Sequence, residues 1–278
     1  MLTRRAFPAI FLLTLATVSL LVAAPEAQRL RDSQRSQSED WCARERYNNS
    51  DREQFCEVRQ YTVPASGTVS VNAEPNGGID VQGEGRGDVL VQAKVSAQAE
   101  TQARAKQIAD SVRISTQPDI SADGPSGLGR REGWSVSYRL AVPSVASLSL
   151  KSTNGGISIR DVDGQIDFRT VNGGVRLVNL AGDVKGRTSN GGVDVDLDGP
   201  GWKGEGLSVE TSNGGVTIKI PEQYSAHLQT STINGGMNID FPLTVQGRID
   251  REINANLGAG GAPIRVTTHN GGVKISRK

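Results

Sequence analysis

The sequence predicts an all-β protein: a single-chain β-solenoid of stacked parallel rungs with one ancillary α-helix. Three observations carry this. The tripeptide Asn-Gly-Gly occurs seven times, beginning at Asn76, Asn154, Asn172, Asn190, Asn213, Asn234 and Asn270. The last six copies are spaced by 18, 18, 23, 21 and 36 residues, the signature of coils built on one plan. Around each of those six, the apolar residues alternate with period two, as in strands with one face buried.

The alternation is specific. Leu148, Ile166, Val184, Leu207, Leu228 and Ile264 stand six residues before the Asn. Ile157, Val175, Val193, Val216, Met237 and Val273 stand three after it, followed two residues on by Ile159, Leu177, Val195, Ile218, Ile239 and Ile275. Polar and charged residues fill the positions between. Each unit reads as strand, Asn-Gly-Gly corner, strand and return. Asn-Gly between alternating strands is also the strongest short hairpin signal, so a meander of hairpins is the competing reading. A hairpin does not explain why Ser152, Thr170, Thr188, Thr211, Thr232 and Thr268 recur two residues before the Asn. Parallel stacking does, because equivalent residues then lie about 4.7–4.9 Å apart. The asparagines (Asn154, Asn172, Asn190, Asn213, Asn234, Asn270) are expected to form an amide ladder, with a second, hydroxyl ladder beside it. The glycines are expected to supply positive φ and close approach. A buried ladder makes Asn190→Ala costly, by roughly 1–3 kcal/mol.

From the N-terminus, residues 1–24 read as an export signal. Arg4 and Arg5 precede an uncharged apolar run, and small residues offer cleavage near Ala24 or Ala27. Thr3-Arg4-Arg5-Ala6-Phe7 resembles a twin-arginine signal, and an uncleaved anchor is the rival reading. Residues 25–60 form a charged linker and a segment pinned by a disulfide between Cys42 and Cys56, the two cysteines of the chain. A redox or metal-binding pair is the weaker alternative, since the spacing is not Cys-x-x-Cys and further ligands are missing nearby. Trp41, Tyr47 and Phe55 are expected to pack there. The solenoid domain spans 61–278. Its first Asn-Gly-Gly is out of phase, because Val69 and Val71 precede Asn76 by seven and five residues, and this rung is expected to be terminal or divergent. About 97–112 reads as an Ala-rich amphipathic helix covering a surface or an end of the stack. Ser121 to Glu132 reads as a loop, and Trp134 to Val142 as a strand. The longer repeat intervals place insertions at Asp198–Gly206 and at about Pro242–Pro263, the latter containing Gly258-Ala259-Gly260-Gly261.

Repeated Thr-x-Asn-Gly-Gly-hydrophobic-x-hydrophobic units after a strand pair and one Ala-rich helix resemble a bacterial β-solenoid family described as "putative adhesin", toastrack-like and of unknown function. The resemblance covers about 61–278. Trp41-Cys42 and Phe55-Cys56-Glu57-Val58-Arg59 are similar to the segment that precedes the domain in exported members. The resemblance implies a surface or periplasmic scaffold and brings no catalytic residues with it.

The chain offers little chemistry. His227 and His269 belong to no motif. Asp194, Asp196 and Asp198 alternate onto one outward face, where paired carboxylates serve either glycoside hydrolysis or weak Ca²⁺ binding; a solvated strand face is the plainer reading. Nucleophile motifs, phosphate loops and His-Glu-x-x-His are missing from the sequence. A net charge of +1 and 4% aromatic residues exclude an evident nucleic-acid surface. Trp202, in the Gly-rich insertion, is a candidate contact residue or a side chain folded back on the stack. The expected function is therefore an exported, non-catalytic binding or scaffolding module of the periplasm or cell surface, without a cofactor. Its expected partner is an envelope protein or surface polymer. The alternative is a polysaccharide-active enzyme using the carboxylates near Asp194. The C-terminal rung is expected to be an edge guarded by Lys274, Arg277 and Lys278, and a possible homotypic contact.

Overall fold

A computed structural model describes residues 41–43, 52–240 and 251–278. The expected export signal at 1–24, the expected linker up to 40 and Tyr47 lie outside the described residues, as does 241–250 of the larger insertion. The chain divides into two compact units, Met1–Glu45 and Arg46–Lys278. Trp41, Cys42 and Ala43 of the first are helical. Cys42 and Cys56 are both disulfide-bonded. The second unit carries the sheets.

Each repeat places one strand in each of two sheets, with the Asn-Gly-Gly corner between them. Three successive coils show the plan. β8 (Ser147–Lys151), β10 (Asp163–Asn172) and β12 (Ala181–Asn190) lie in the second sheet. β9 (Ile157–Arg160), β11 (Val175–Val178) and β13 (Val193–Asp196) follow them in the first. All these neighbours pair in parallel and in register, for example Ile166↔Val184, Asn172↔Asn190 and Val175↔Val193. The hairpin reading is excluded and the solenoid is the fold.

The apolar columns of the sequence are the core. Leu148, Ile166, Val184, Leu207, Leu228 and Ile264 are all buried, as are Ile159, Leu177, Val195, Ile218 and Ile275. Each buried aliphatic side chain is worth roughly 1.5–3 kcal/mol relative to exposure, so every added coil extends one continuous core.

Four features differ from the sequence expectation. First, the out-of-phase rung, expected to be terminal or divergent, is divergent and not terminal. β2 (Thr68–Asn72) pairs Val69↔Leu148 and Val71↔Leu150, and β3 (Ile79–Glu84) pairs Ile79↔Ile157. The additional residue is absorbed between Asn72 and Asn76, and Asn76 still bridges Asn154.

Second, β1 (Glu53–Pro64) begins ahead of the expected boundary at 61 and pairs along its length with β4 (Asp88–Ala99). Two of the charges that read as linker, Glu57 and Arg59, have partners. Arg59 donates to the Val112 and Ala109 carbonyls at the end of α1 (Gln102–Ser111) and pairs with Glu57. A cation suits the carbonyl end of a helix.

Third, α1 is shorter than 97–112. Ala97 and Ala99 continue the alternation of β4, and Thr101 caps the helix by accepting from the Arg104 amide. Ala105, Ile108 and Ala109 are buried where α1 packs on β1, β4 and β7 (Gly133–Pro143). β5 (Arg113–Ser115) and β6 (Ile120–Asp123) complete the second sheet at this end, so part of the expected loop at 121–132 is strand.

Fourth, the last two coils are out of sequence order. After β14 (Gly206–Asn213) and β15 (Val216–Ile220), the chain skips one position in each sheet to form β16 (Ala226–Asn234) and β17 (Met237–Asp240). It then makes β18 (Glu252–Leu257), antiparallel to β16, where the sequence suggested only an inserted loop. Finally β19 (Pro263–Asn270) enters between β14 and β16, and β20 (Val273–Arg277) between β15 and β17. The C-terminal rung is therefore interior. Lys274, Arg277 and Lys278 guard no edge; among the described strands, β17 and β18 are the outermost at this end. Period and spacing define rungs but not their order. The crossing from β18 to β19 passes the start of β16, where Ala259 N–H donates to Ser225 Oγ and a Cβ on Gly258 would lie 2.6 Å from that oxygen.

Candidate binding surface

The corner residues come first, because they fix where every outward side chain stands. All seven asparagines form one ladder. Six Nδ2 groups donate to the Oδ1 of the next Asn at 2.8–2.9 Å, in the order Asn234, Asn270, Asn213, Asn190, Asn172, Asn154, with Asn76 the final acceptor. The ladder is solvent-exposed rather than buried. Loss of one member then costs a net hydrogen bond without burying an orphan, so Asn190→Ala is expected to destabilise by about 1 kcal/mol. Chemical denaturation of the two proteins measures it.

The hydroxyls do not bond to one another as the sequence suggested. Ser152, Thr170, Thr188, Thr211, Thr232 and Thr268 each donate to the first corner glycine's carbonyl on the neighbouring rung, all at 2.8 Å. All six residues are at most 3% exposed. The geometry follows from the side-chain length: a buried hydroxyl two residues before the corner reaches the adjacent rung's backbone, not its counterpart. The corner glycines also differ from expectation, since none of them has positive φ. The first glycine of each corner is set by close approach; the second is not. A Cβ on Gly155, Gly173, Gly191, Gly214 or Gly271 would lie 2.1–2.2 Å from the adjacent corner carbonyl.

Of the three carboxylates near Asp194, two lie beside Lys278. Asp194 is exposed on β13, opposite Arg176 and Thr217. Lys278 Nζ lies 2.9 Å from Asp196 and 3.6 Å from Asp198. The hydrogen bond to Asp196 is the main cause raising the Lys278 pKa above its ordinary value, with the charge of Asp198 adding to it. Among the described residues no three His, Cys, Asp or Glu side chains converge as a metal site. His227 Nδ1 lies 2.7 Å from Asn256 Oδ1, and His269 Nδ1 lies 3.6 Å from Glu210. Trp202 folds back: it packs on the core, and its indole donates to the Gly182 carbonyl at 3.0 Å.

Two buried phenols share the sign of the Lys278 shift. Burial, with the charge of Asp198 second, pushes Tyr224 up to about 12, and burial with Tyr61 raises Tyr138 as well. A phenol or ammonium whose folded pKa is raised stabilises fully below its unfolded value and loses that contribution as pH rises through the folded one. Stability is therefore expected to hold up to about pH 10, the unfolded tyrosine value, and to fall between there and about 12. Denaturant midpoints across that window check it.

What the stack does assemble is a row of cations on the outer face of the second sheet. Lys151, Arg169 and Arg187 occupy the same position on β8, β10 and β12 and pair directly across neighbouring strands. All three are exposed. Parallel register spaces them by about 4.8 Å, and like charges directly opposite are unfavourable. Arg187 is offset by Glu210, the next residue in the row, at 3.2 Å. Lys185, beside the row, is taken by Asp183 at 2.7 Å. Lys151 and Arg169 have no ion-pair partner among the described residues, although Asp167 flanks them. A shallow groove runs here, lined by Ser149, Asp167, Lys185 and Ser208 as well as the row. Beneath it, on the core side of the sheet, the buried Phe168 ring fills the space that a Gly186 side chain would take. In the sequence the row stands three residues before Asn154, Asn172 and Asn190, in a column that holds Glu210, Ser231 and Thr267 in the other coils.

Fold and surface together define a two-sheet β-solenoid with an extended polar face. The chain belongs to the Toastrack DUF4097 family, whose family model matches residues 62–276. Two solved structures are similar. One is described as a "putative cell adhesion protein" from Clostridium sporogenes ATCC 15579; it is 12% identical, and the match covers 81% of this chain and all of that one, with a TM-score of 0.41. The other is described as a "putative adhesin" from Bacteroides fragilis NCTC 9343; it is 9% identical and covers 81% of this chain and 97% of that one, also with a TM-score of 0.41. No curated protein matches the chain.

Proposed function

We propose that the mature chain is an exported, non-catalytic binding module of the cell envelope, and that it holds an anionic surface polymer along the outer face of its second sheet. The in-register row Lys151–Arg169–Arg187 is the observation that carries this reading, because two of its cations lack a described counter-ion. A linear polyanion laid across the strands would meet one cation per rung, and the row's self-repulsion would be relieved on binding. The residues 1–24 and the disulfide-bonded cysteines support export. The enzyme alternative is weakened by Lys278, which occupies two of its three carboxylates.

The test is binding of the mature chain to an immobilised acidic polysaccharide and to a neutral one. Wild type should retain only the acidic polymer and lose it as salt rises. K151E/R169E should weaken retention by about tenfold or more, the equivalent of roughly 1.4 kcal/mol. Equal retention of both polymers, or a charge-reversed protein that binds as well as wild type, would sink the proposal.

A further inference from the structure

Asn-Gly is chemically labile, and this chain carries it seven times. The glycine nitrogen attacks the preceding side-chain carbonyl carbon, closes a five-membered succinimide and expels ammonia. Water then opens the ring at either carbonyl, leaving aspartate or a β-linked isoaspartate. The net change is amide plus water to carboxylic acid plus ammonia. The attacking nitrogen must first give up its proton to base, and it must leave whatever hydrogen bond it makes. The side-chain carbon must also rotate towards it. Seven copies of the same tripeptide in one molecule thus form a controlled series in which only the surroundings differ.

In six copies the fold holds both reacting groups. The N–H groups of Gly77, Gly155, Gly173, Gly191, Gly214 and Gly271 each donate to the backbone carbonyl of the next rung's Asn, at 2.9–3.1 Å. The Oδ1 of the Asn before each of them accepts from the next rung's amide. Succinimide formation at these sites has to wait for local opening of a strand pair. Asn234 differs, because its coil is the outermost of the ladder. Its Nδ2 donates inward to Asn270, but nothing described donates to its Oδ1. No described carbonyl accepts from the Gly235 N–H. Asn234, Gly235 and Gly236 are all exposed, and the corner is open on its outward side at Gly236, where a Cβ would meet no atom within 4 Å, although a Cβ on Gly235 would lie 2.0 Å from the Gly271 carbonyl oxygen.

We infer that Asn234–Gly235 is a site of spontaneous deamidation in the folded protein, and that the other six pairs are protected by the stack. The product places a carboxylate on the terminal rung and removes the inward amide bond to Asn270. Where isoaspartate forms, an additional backbone carbon displaces β17 from its register on β20. The sequence alone makes all seven sites equivalent; the swapped coil order singles out the fifth coil of the aligned series rather than the last.

The experiment is incubation of the mature chain in mildly alkaline buffer, folded or unfolded in urea, followed by peptide mapping for the amide-to-acid mass change and enzymatic methylation of isoaspartate. Unfolded, the seven sites should react at similar rates. Folded, Asn234 should run ahead of each of the other six by at least about tenfold, since they react only through local opening. Asn234→Gln should remove the early product without altering the circular dichroism of the fold. Comparable rates at all seven folded sites, an interior Asn that outruns Asn234, or no acceleration at Asn234 over the interior sites would each overturn the inference.

Discussion

Gly173→Ala is expected to destabilise the protein by about 3 kcal/mol or more, and Gly174→Ala to be neutral or to stabilise by up to about 1 kcal/mol. The two glycines are adjacent in sequence and identical in every repeat-based alignment. In the structure they face different ways. A Cβ on Gly173 would lie 2.2 Å from the Gly155 carbonyl oxygen, and backbone on the neighbouring rung cannot swing aside as a side chain does. That oxygen also accepts the buried Thr170 hydroxyl, so moving it breaks a second contact. A Cβ on Gly174 meets its nearest atom, the Gly192 carbonyl, at 3.6 Å, an ordinary van der Waals distance. Neither position needs positive φ. The gain from restricting the unfolded chain is then available at the second glycine and overwhelmed at the first. Urea midpoints of the two variants, measured side by side, decide it; equal losses would show that the corner is constrained by dihedral angle after all.

Thr188→Val is expected to cost about 2–3 kcal/mol, although it conserves shape. Thr188 is fully buried and donates to the Gly173 carbonyl at 2.8 Å. The corner backbone directs its N–H groups to the next rung, and no described backbone N–H outside the strands donates to that carbonyl in return. Valine would leave this part-buried carbonyl without its described donor and place no group that could replace it, which costs more than the net value of the bond itself. Thr188→Ser keeps the donor and should recover most of the loss. The comparison with Asn190→Ala is instructive. The asparagines are the more conspicuous residues, yet their ladder lies in water, and its members are individually replaceable at about 1 kcal/mol. A thermal melt in which Thr188→Val matches wild type would refute this ranking.

Both results turn on what the sequence could and could not display. Period-two columns identified the buried residues, the parallel stacking and the corners, because burial repeats along the chain and is written in residue type. Thr188 was legible as a recurring position but not as a donor to Gly173, since the partner is set by three-dimensional offset between rungs. Asn76 looked divergent because one additional residue broke the phase, and a short bulging segment absorbs it. The cationic row Lys151–Arg169–Arg187 was present in the alignment, but exposed columns vary in type from coil to coil, and only register shows which cations stand side by side without a counter-ion. Arg59 read as part of a charged linker until its helix-end carbonyls were visible. The order of coils was not legible at all: every rung offers the same edge to its neighbours, so nothing in the repeat says that Asn270 follows Asn213.

That interchangeability has a consequence for how the protein is made. A stack assembled in order can be completed progressively as the chain emerges, each coil templating on the last. Here residues 263–278 fill an internal slot between coils that precede them in the chain. Before β19 is in place, β14 and β16 present two facing edges, and the equivalent strand of a second copy would match them in the same register. The same register that seats β19 would thus also accept an exchanged strand, so self-insertion and strand exchange compete during folding.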